Sequence, residues 1–74
     1  MVFSIVDIET TGGSHGNRIT EIAAVKTDGL KILESYETLI NPHIFIPKSI
    51  TLLTGITNSM VSGAPDFEEV SHDF

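Results

Sequence analysis

An apolar run at the start of the chain, ending in two acids, constrains the fold most. Residues 2–6 read Val-Phe-Ser-Ile-Val, a pattern apolar on both faces of a strand and typical of a central strand rather than an edge. Asp7 and Glu9 follow this run. Successive side chains of a strand point to opposite faces, so both carboxylates project from one face, about 6.6 Å apart along the strand. We expect them to leave the sheet where this buried strand ends.

Two neighbouring carboxylates repel each other unless a cation neutralises them. A divalent ion with oxygen ligands makes the ionised pair favourable, whereas without one the pKa of one carboxyl rises. Two solvated acids before a turn are the alternative interpretation, because the Asp-x-Glu spacing alone is common. The next residues, Thr10-Thr11-Gly12, favour a site, since a glycine turn exposes amides and hydroxyls and permits close approach.

The following residues predict a three-stranded antiparallel meander. Residues 19–26 alternate as a second strand, with Glu21 and Ile22 on opposite faces. Asp28-Gly29 is a hairpin signal, and residues 30–40 predict the third strand. Prolines at positions 42 and 47 then end the sheet, because proline cannot donate to a strand ladder.

Short helices are predicted after the sheet. Residues 47–53 are expected to form one helix closed by Gly55, and Thr57 to cap a second turn. Asp66 and Glu69 have the spacing of a capping box. They begin a third helix with an apolar stripe at Phe67, Val70 and Phe74. The chain stops inside this stripe, which we interpret as a truncated domain.

Composition narrows the class of protein. The net charge of −6 argues against a binder that neutralises many phosphates. The four cations are Arg18, Lys26, Lys31 and Lys48. There is no cysteine, and the first apolar run lacks a basic flank and is interrupted by acids. We therefore expect no disulfide, no signal peptide and no membrane span, and a cytoplasmic location.

Several segments together resemble the opening of a 3′–5′ exonuclease domain of the DEDD superfamily, typified by the proofreading epsilon subunit of bacterial DNA polymerase III. The segments that carry the resemblance are residues 7–12, 18–25, 40–42, 46–47, 53–57 and 64–70. The resemblance implies an α/β, ribonuclease H-like exonuclease fold of which residues 1–74 are the N-terminal portion. Two later motifs of the family, a second-motif Asp and a closing His-x-x-x-x-Asp, are not in this sequence.

The resemblance also implies an activity. Phosphodiester bonds at a 3′ end would be hydrolysed with two divalent ions, Mg²⁺ or Mn²⁺, about 3.5–4 Å apart. Asp7 and Glu9 would ligate these ions. The terminal nucleotide would be positioned by Thr10, Thr11, Gly12, Leu53, Thr54 and Gly55. With about half of a site, the 74-residue chain is expected to be inactive by itself.

Alternatives stay open at this point. Glu21 is either a third metal ligand or a structural residue, and we favour the second. Residues 53–55 could serve only as core and helix cap. His15 is interpreted as solvated, and His72 with Asp73 as the polar face of the third helix rather than the closing motif. The whole chain could also be a non-catalytic module that binds a nucleic-acid end or a protein.

Partners are expected to follow from the same resemblance. Single-stranded DNA is the favoured substrate and RNA an alternative, and a DNA polymerase subunit is a candidate partner. The meander gives the first strand one neighbour and leaves an apolar edge, so self-association of the 74-residue chain is expected.

Overall fold

The computed structural model describes residues 1–12 and 16–72. Three strands form one antiparallel sheet in the order β1-β2-β3. They are β1 (Phe3–Thr10), β2 (Ile19–Thr27) and β3 (Ile32–Leu39). The predicted meander is therefore confirmed, and within the described part of the chain β1 pairs only with β2.

The first strand is longer than the apolar run suggests. β1 continues to Thr10, which pairs with Ile19 after a register shift. Asp7 and Glu9 thus lie inside the strand, opposite Ala23 and Glu21, so the expectation that they follow the strand end is wrong. The reason is that β2 offers backbone partners beyond the apolar residues, and pairing does not depend on side-chain polarity.

The third strand is shorter than predicted because the turn before it uses two backbone amides. The Asp28 carboxylate accepts hydrogen bonds from the Leu30 and Lys31 amides at 2.9 and 3.0 Å. The Thr27 hydroxyl donates to the Lys31 carbonyl at 2.6 Å. These bonds fold residues 28–31 into the turn and delay the start of the strand to Ile32.

Three short helices follow, as the capping signals predict. They are α1 (Lys48–Thr54), α2 (Asn58–Val61) and α3 (Phe67–Ser71). Pro47 is the N-cap of α1 rather than its first residue, and Gly55 closes the helix in the left-handed conformation at φ 80°. In the described residues no helix combines the length and apolarity that crossing a membrane requires.

Side-chain caps start the second and third helices. The Thr57 hydroxyl accepts from the Met60 amide at 3.1 Å. The Asp66 carboxylate accepts from the Glu69 amide at 2.9 Å, and the Glu69 carboxylate accepts from the Asp66 amide at 3.3 Å. The predicted capping box is confirmed. Phe74, the last residue of the predicted stripe, and Asp73 lie outside the described residues.

Two small apolar clusters hold these elements together. One contains Ile22, Ile40 and Val70, and it attaches α3 to the sheet. The other contains Ile46, Ile56 and Val61, with Leu39 and Ile50 packed against it, and it joins α1 and α2 to the end of β3. Because Ile22 and Glu21 point to opposite faces of β2, α3 lies on the sheet face away from Asp7 and Glu9.

Candidate functional site

The structure places Asp7 and Glu9 on one face of β1, as the sequence predicts. Asp7 is opposite Ala23, and Glu9 is opposite Glu21 on β2. Paired residues of an antiparallel sheet share a face, so Glu21 joins the two predicted acids. The result is a group of carboxylates on an exposed or half-buried part of the sheet.

A fourth acid, Glu37, was missed by the sequence analysis. Glu37 on β3 is opposite Ala23, so it lies in the same cross-strand row as Asp7. Its carboxyl group is close enough to that of Glu21 to share a proton with it, which raises the pKa of Glu21. Extending the pairing from the Asp28 turn would have placed Tyr36 opposite Ala23, because the register shift between Lys26 and Thr27 moves the pairing by one residue and turns every later side chain to the other face.

The electrostatics of this group appear most clearly at Glu21. Burial raises the pKa of the Glu21 carboxyl above its ordinary value, and the negative charges of Glu37 and Glu9 raise it further. Proton sharing with Glu37 and the charge of Asp7 act in the same direction. The face therefore holds negative charge that the described side chains do not neutralise, which is a suitable environment for a cation.

The donor atoms of this face are suited to a divalent ion but form only part of a site. Carboxylate oxygens are the hard ligands that Mg²⁺ and Mn²⁺ take. In residues 1–12 and 16–72, no group of three or more His, Cys, Asp or Glu is arranged to hold a metal ion. The preference for Glu21 as a structural residue rather than a third ligand stays a prediction.

The turn after β1 is closed by its threonines. Gly12 has a φ of 72°, the positive value that a glycine at this place suggests. The Thr10 hydroxyl accepts from the Gly12 amide at 3.2 Å. Thr11 is 2% exposed, its amide donates to the Arg18 carbonyl at 2.9 Å, and its hydroxyl accepts from the Arg18 amide at 3.1 Å. Thr11 is thus engaged in holding the base of the loop.

Helix α1 packs directly on this turn. A Cβ at position 12 would lie 2.8 Å from Ile50 Cγ1 and closer still to Ile50 Cδ1. Only glycine permits this approach without a shift of the isoleucine. Ile50 is therefore a positioning residue that the sequence analysis did not identify, since its partner lies 38 positions away along the chain.

The same contact places one side of α1 against the turn that follows Asp7 and Glu9. Leu53 and Thr54 follow Ile50 by three and four residues, so all three share one side of α1. Leu53 is 81% exposed. The Thr54 hydroxyl donates to the Ile50 carbonyl at 3.0 Å and accepts from the Ile56 amide at 3.1 Å, while the Gly55 amide donates to the Thr51 carbonyl at 2.8 Å.

Histidines do not join the site in the described part of the chain. His72 directly follows α3, on the opposite side of the sheet from Asp7 and Glu9. This position agrees with the interpretation that His72 is not the closing motif. His15 and Asp73 lie outside the described residues.

Comparison with known proteins identifies the family. A family model described as an exonuclease, RNase_T, matches residues 4–74. The chain therefore belongs to this exonuclease family.

Three similar proteins illustrate the relationship. The PolC-type DNA polymerase III of Caldanaerobacter subterraneus is 52% identical over 73 residues, which cover 97% of this chain and 5% of that protein. The epsilon subunit of DNA polymerase III of Aquifex aeolicus is 42% identical over 97% of this chain and 36% of that subunit. A crystal structure of the nuclease domain of 3′hExo, a DEDDh family member bound to rAMP, is 25% identical with a TM-score of 0.86, covering 97% of this chain and 40% of that one.

These comparisons confirm the predicted fold. The sheet and short helices are those of a ribonuclease H-like exonuclease domain. The chain spans about one third of the epsilon relative and one twentieth of the PolC relative.

Proposed function

We propose that this chain is the N-terminal part of a single 3′–5′ exonuclease domain that removes nucleotides in DNA proofreading or repair. The observation that carries the proposal is the placement of Asp7 and Glu9 on one sheet face, with the Gly12 turn following them and α1 packed on that turn. This arrangement supports a metal site at the two carboxylates with a nucleotide site next to it. Family membership and similarity to DNA polymerase III proteins support it.

Asp7 and Glu9 would hold divalent metal ions, Mg²⁺ or Mn²⁺, of which we propose two. Bound ions would supply Lewis-acid activation of water and neutralise the charge that develops during phosphodiester hydrolysis. The role of the two carboxylates is to fix those charges on a rigid strand. Further ligands and the general base are proposed to lie in a part of the domain beyond these residues.

The terminal nucleotide would be held between the Gly12 turn and the end of α1. Thr10 and Gly12 would form the turn beside the nucleotide, and the buried Thr11 would hold that turn through its hydrogen bond with the Arg18 amide. Leu53 would present its exposed apolar side chain to a base or sugar. Thr54 and Gly55 shape the end of α1. We favour single-stranded DNA over RNA, because both sequence relatives described above are DNA polymerase III proteins. Such a role fits a cytoplasmic enzyme that associates with a polymerase subunit.

The experiment that tests the proposal uses the longer parent protein. A labelled single strand should be degraded from its 3′ end in Mg²⁺, and Asp7→Asn should reduce the rate by about 10²-fold or more, since a metal ligand is lost. Glu34→Gln is the matched control, because Glu34 pairs with Lys26 on the opposite sheet face, three cross-strand rows from Asp7. Equal rates for Asp7→Asn and the unmodified parent would refute the metal role.

The 74-residue chain provides the second arm of the experiment. We expect it to have no measurable exonuclease activity, because general acid–base help alone is worth about 10²–10⁴-fold and metal ligands are also missing. Turnover by the purified chain that survives Asp7→Ala would show that the site lies elsewhere. A parent that binds a 3′ end without hydrolysing it in either metal would favour a non-catalytic binding module.

A further inference from the structure

Acidic residues are absent from one continuous part of the molecule. All ten Asp and Glu residues lie in residues 1–37 and 66–74. Residues 38–65 contain Lys48, His43 and no acid, although the chain as a whole has a net charge of −6. This acid-free segment includes α1 and α2 and the loops around them. Apart from residues 41–43, which lie beside Asp66 and Glu68, it is the stretch of the chain from which a polyanion would be repelled least.

The acid-free segment also exposes apolar side chains. Phe45 is 76% exposed, Leu52 77% and Leu53 81%. Beside Phe45 there is a shallow cavity of about 410 Å³, rimmed by Lys48, Thr51, Thr57, Asn58 and Ser59. The cavity surface is almost entirely apolar, because the Thr51 hydroxyl donates to the Ile56 carbonyl and the Thr57 hydroxyl accepts from the Met60 amide. An exposed aromatic ring next to a lysine is a combination that binds a single strand, by base stacking and by contact with a phosphate.

The cavity is connected to the proposed nucleotide site by the outer surface of α1. Lys48 and Thr51 lie on one side of this helix, and Ile50 and Leu53 lie on the side that meets the Gly12 turn. Leu52 falls between the two sides, since consecutive residues of a helix are about 100° apart. Leu52 and Leu53 thus form a continuous exposed apolar strip around the helix, whose seven residues span about 10 Å.

We propose that the acid-free segment is the path along which a single DNA strand reaches the Asp7–Glu9 site, with Phe45 as a stacking platform and Lys48 as a phosphate contact. The inference rests on the proposed function, because the path would bind the nucleotides that precede the 3′-terminal nucleotide. It also accounts for nucleic-acid binding by an acidic chain, since Phe45 and Lys48 lie in a stretch of sequence that contains no acid.

The test compares a long and a short ligand on the 74-residue chain. The pentanucleotide dT5 and the mononucleotide dTMP are titrated in Mg²⁺ and followed by amide NMR shifts. Phe45→Ala should weaken dT5 binding by about tenfold, the loss expected from one stacked base, and leave dTMP binding unchanged. Leu30→Ala is the matched control, because Leu30 is 96% exposed and lies in the turn between β2 and β3, away from the segment.

Lysine variants test the phosphate contact. Lys48→Gln should reduce the salt dependence of dT5 binding by about 0.7 in the slope of log K against log salt, the value for one phosphate on a single strand. Lys31→Gln, an exposed lysine in the β2–β3 turn, should change that slope much less. Circular dichroism of each variant verifies that the fold is retained, and Phe45→Leu serves as a second, milder change.

Each outcome separates the strand path from the metal site. Unchanged dT5 affinity in Phe45→Ala, or an equal loss in Leu30→Ala, overturns the proposal. A protein would then be the favoured partner for this surface. Tighter binding of rU5 than of dT5 overturns the choice of DNA. A dTMP response that is insensitive to Asp7→Asn, with the Phe45 dependence of dT5 retained, contradicts the proposed metal site and supports the strand path.

Discussion

Gly12 and Ile50 are in direct contact, so that no side chain larger than hydrogen fits at position 12 without displacing the isoleucine. The contact connects the turn after Asp7 and Glu9 with the helix that carries Leu53 and Thr54. Because the glycine also has a φ of 72°, both its backbone conformation and its surroundings require the absence of a Cβ.

Gly12→Ala is therefore expected to be costly. Left-handed backbone in a non-glycine residue costs about 1–2 kcal/mol. Overpacking adds a smaller cost, because the atoms that must move are the outer side-chain atoms of Ile50 rather than backbone. Urea unfolding should show the sum as a lower free energy of unfolding, with an unchanged slope against denaturant.

Gly16→Ala separates these two effects. Gly16 has a φ of 66°, yet nothing lies within 4 Å of a Cβ at that position. It should show the backbone cost alone. If both variants lose the same stability, the Ile50 contact is unimportant. In a double-mutant cycle, Ile50→Ala should cost less in the Gly12→Ala background than in the natural chain.

Metal binding to the 74-residue chain is expected to be weak and to depend on Asp7. Mg²⁺ keeps much of its water and normally needs substrate phosphates to complete its shell, so we use Mn²⁺, whose paramagnetism broadens nearby NMR signals. The carboxylates of Asp7 and Glu9 should broaden first. Asp7→Asn should lower the apparent affinity by about tenfold or more.

Asp28→Asn is the control for this titration. Asp28 is in the β2–β3 turn, and asparagine retains the Oδ1 atom that accepts the Leu30 and Lys31 amides. Its Mn²⁺ response should match that of the natural chain. Broadening that persists in Asp7→Asn would place the ion at another acid.

The pH dependence of stability should show how unfavourable the ionised form of Glu21 is in the folded chain. Its pKa is raised in the folded chain, chiefly by burial, so the folded state holds the proton more tightly than the unfolded state. The resulting stabilisation is present below the unfolded pKa and is lost as pH rises through the folded pKa. Glu21→Gln should therefore be more stable than the natural chain at pH 7 in EDTA, by about 0.2–1 kcal/mol from the opposed Glu9 charge.

The advantage of Glu21→Gln should disappear at acidic pH, where both side chains are neutral. Glu34→Gln provides the contrast, because Glu34 is opposite Lys26 and its replacement removes an attractive pair. Unfolding curves at several pH values measure both. A Glu21→Gln chain that is less stable than the natural one at pH 7 would contradict the repulsion between Glu21 and its acidic neighbours.

Local chemistry explains which parts of the fold were predictable. The Asp28 turn, the Thr57 cap and the Asp66–Glu69 capping box depend on residues within a few positions of one another, and the structure confirms them. Strand ends were less predictable. The end of β1 depends on the pairing of Thr10 with Ile19. This pairing cannot be predicted from the alternation of apolar residues.

The site shows the same division. The shared face of Asp7 and Glu9 follows from the two-residue period of a strand, so it could be predicted directly. Glu37 and Ile50 could not be found by spacing, because they meet the site through strand register and helix packing. Thr11 has the residue type of a ligand contact, yet its burial makes it a support of the turn.

The last prediction concerns the edge of the sheet. Within the described residues β1 has one neighbour, and its apolar side chains are open to solvent, with Ile5 and Val6 both 59% exposed. An apolar edge of this length is a template for pairing with another chain. We expect the 74-residue chain to form dimers or larger oligomers, or to be a monomer of low stability that aggregates. Sedimentation equilibrium and thermal melts at several concentrations measure this.

A charged residue on the edge should suppress the association. Val6→Lys places a lysine on the exposed strand, one of the means by which natural edges avoid pairing. Leu30→Lys removes a more exposed apolar side chain, 96% against 59%, from the turn rather than from the edge. If edge pairing causes the association, Val6→Lys should shift the chain towards monomer, and Leu30→Lys should not. A sharp melt of a monomeric natural chain, independent of concentration, would show that the chain closes its own core and that the exposed edge does not drive association.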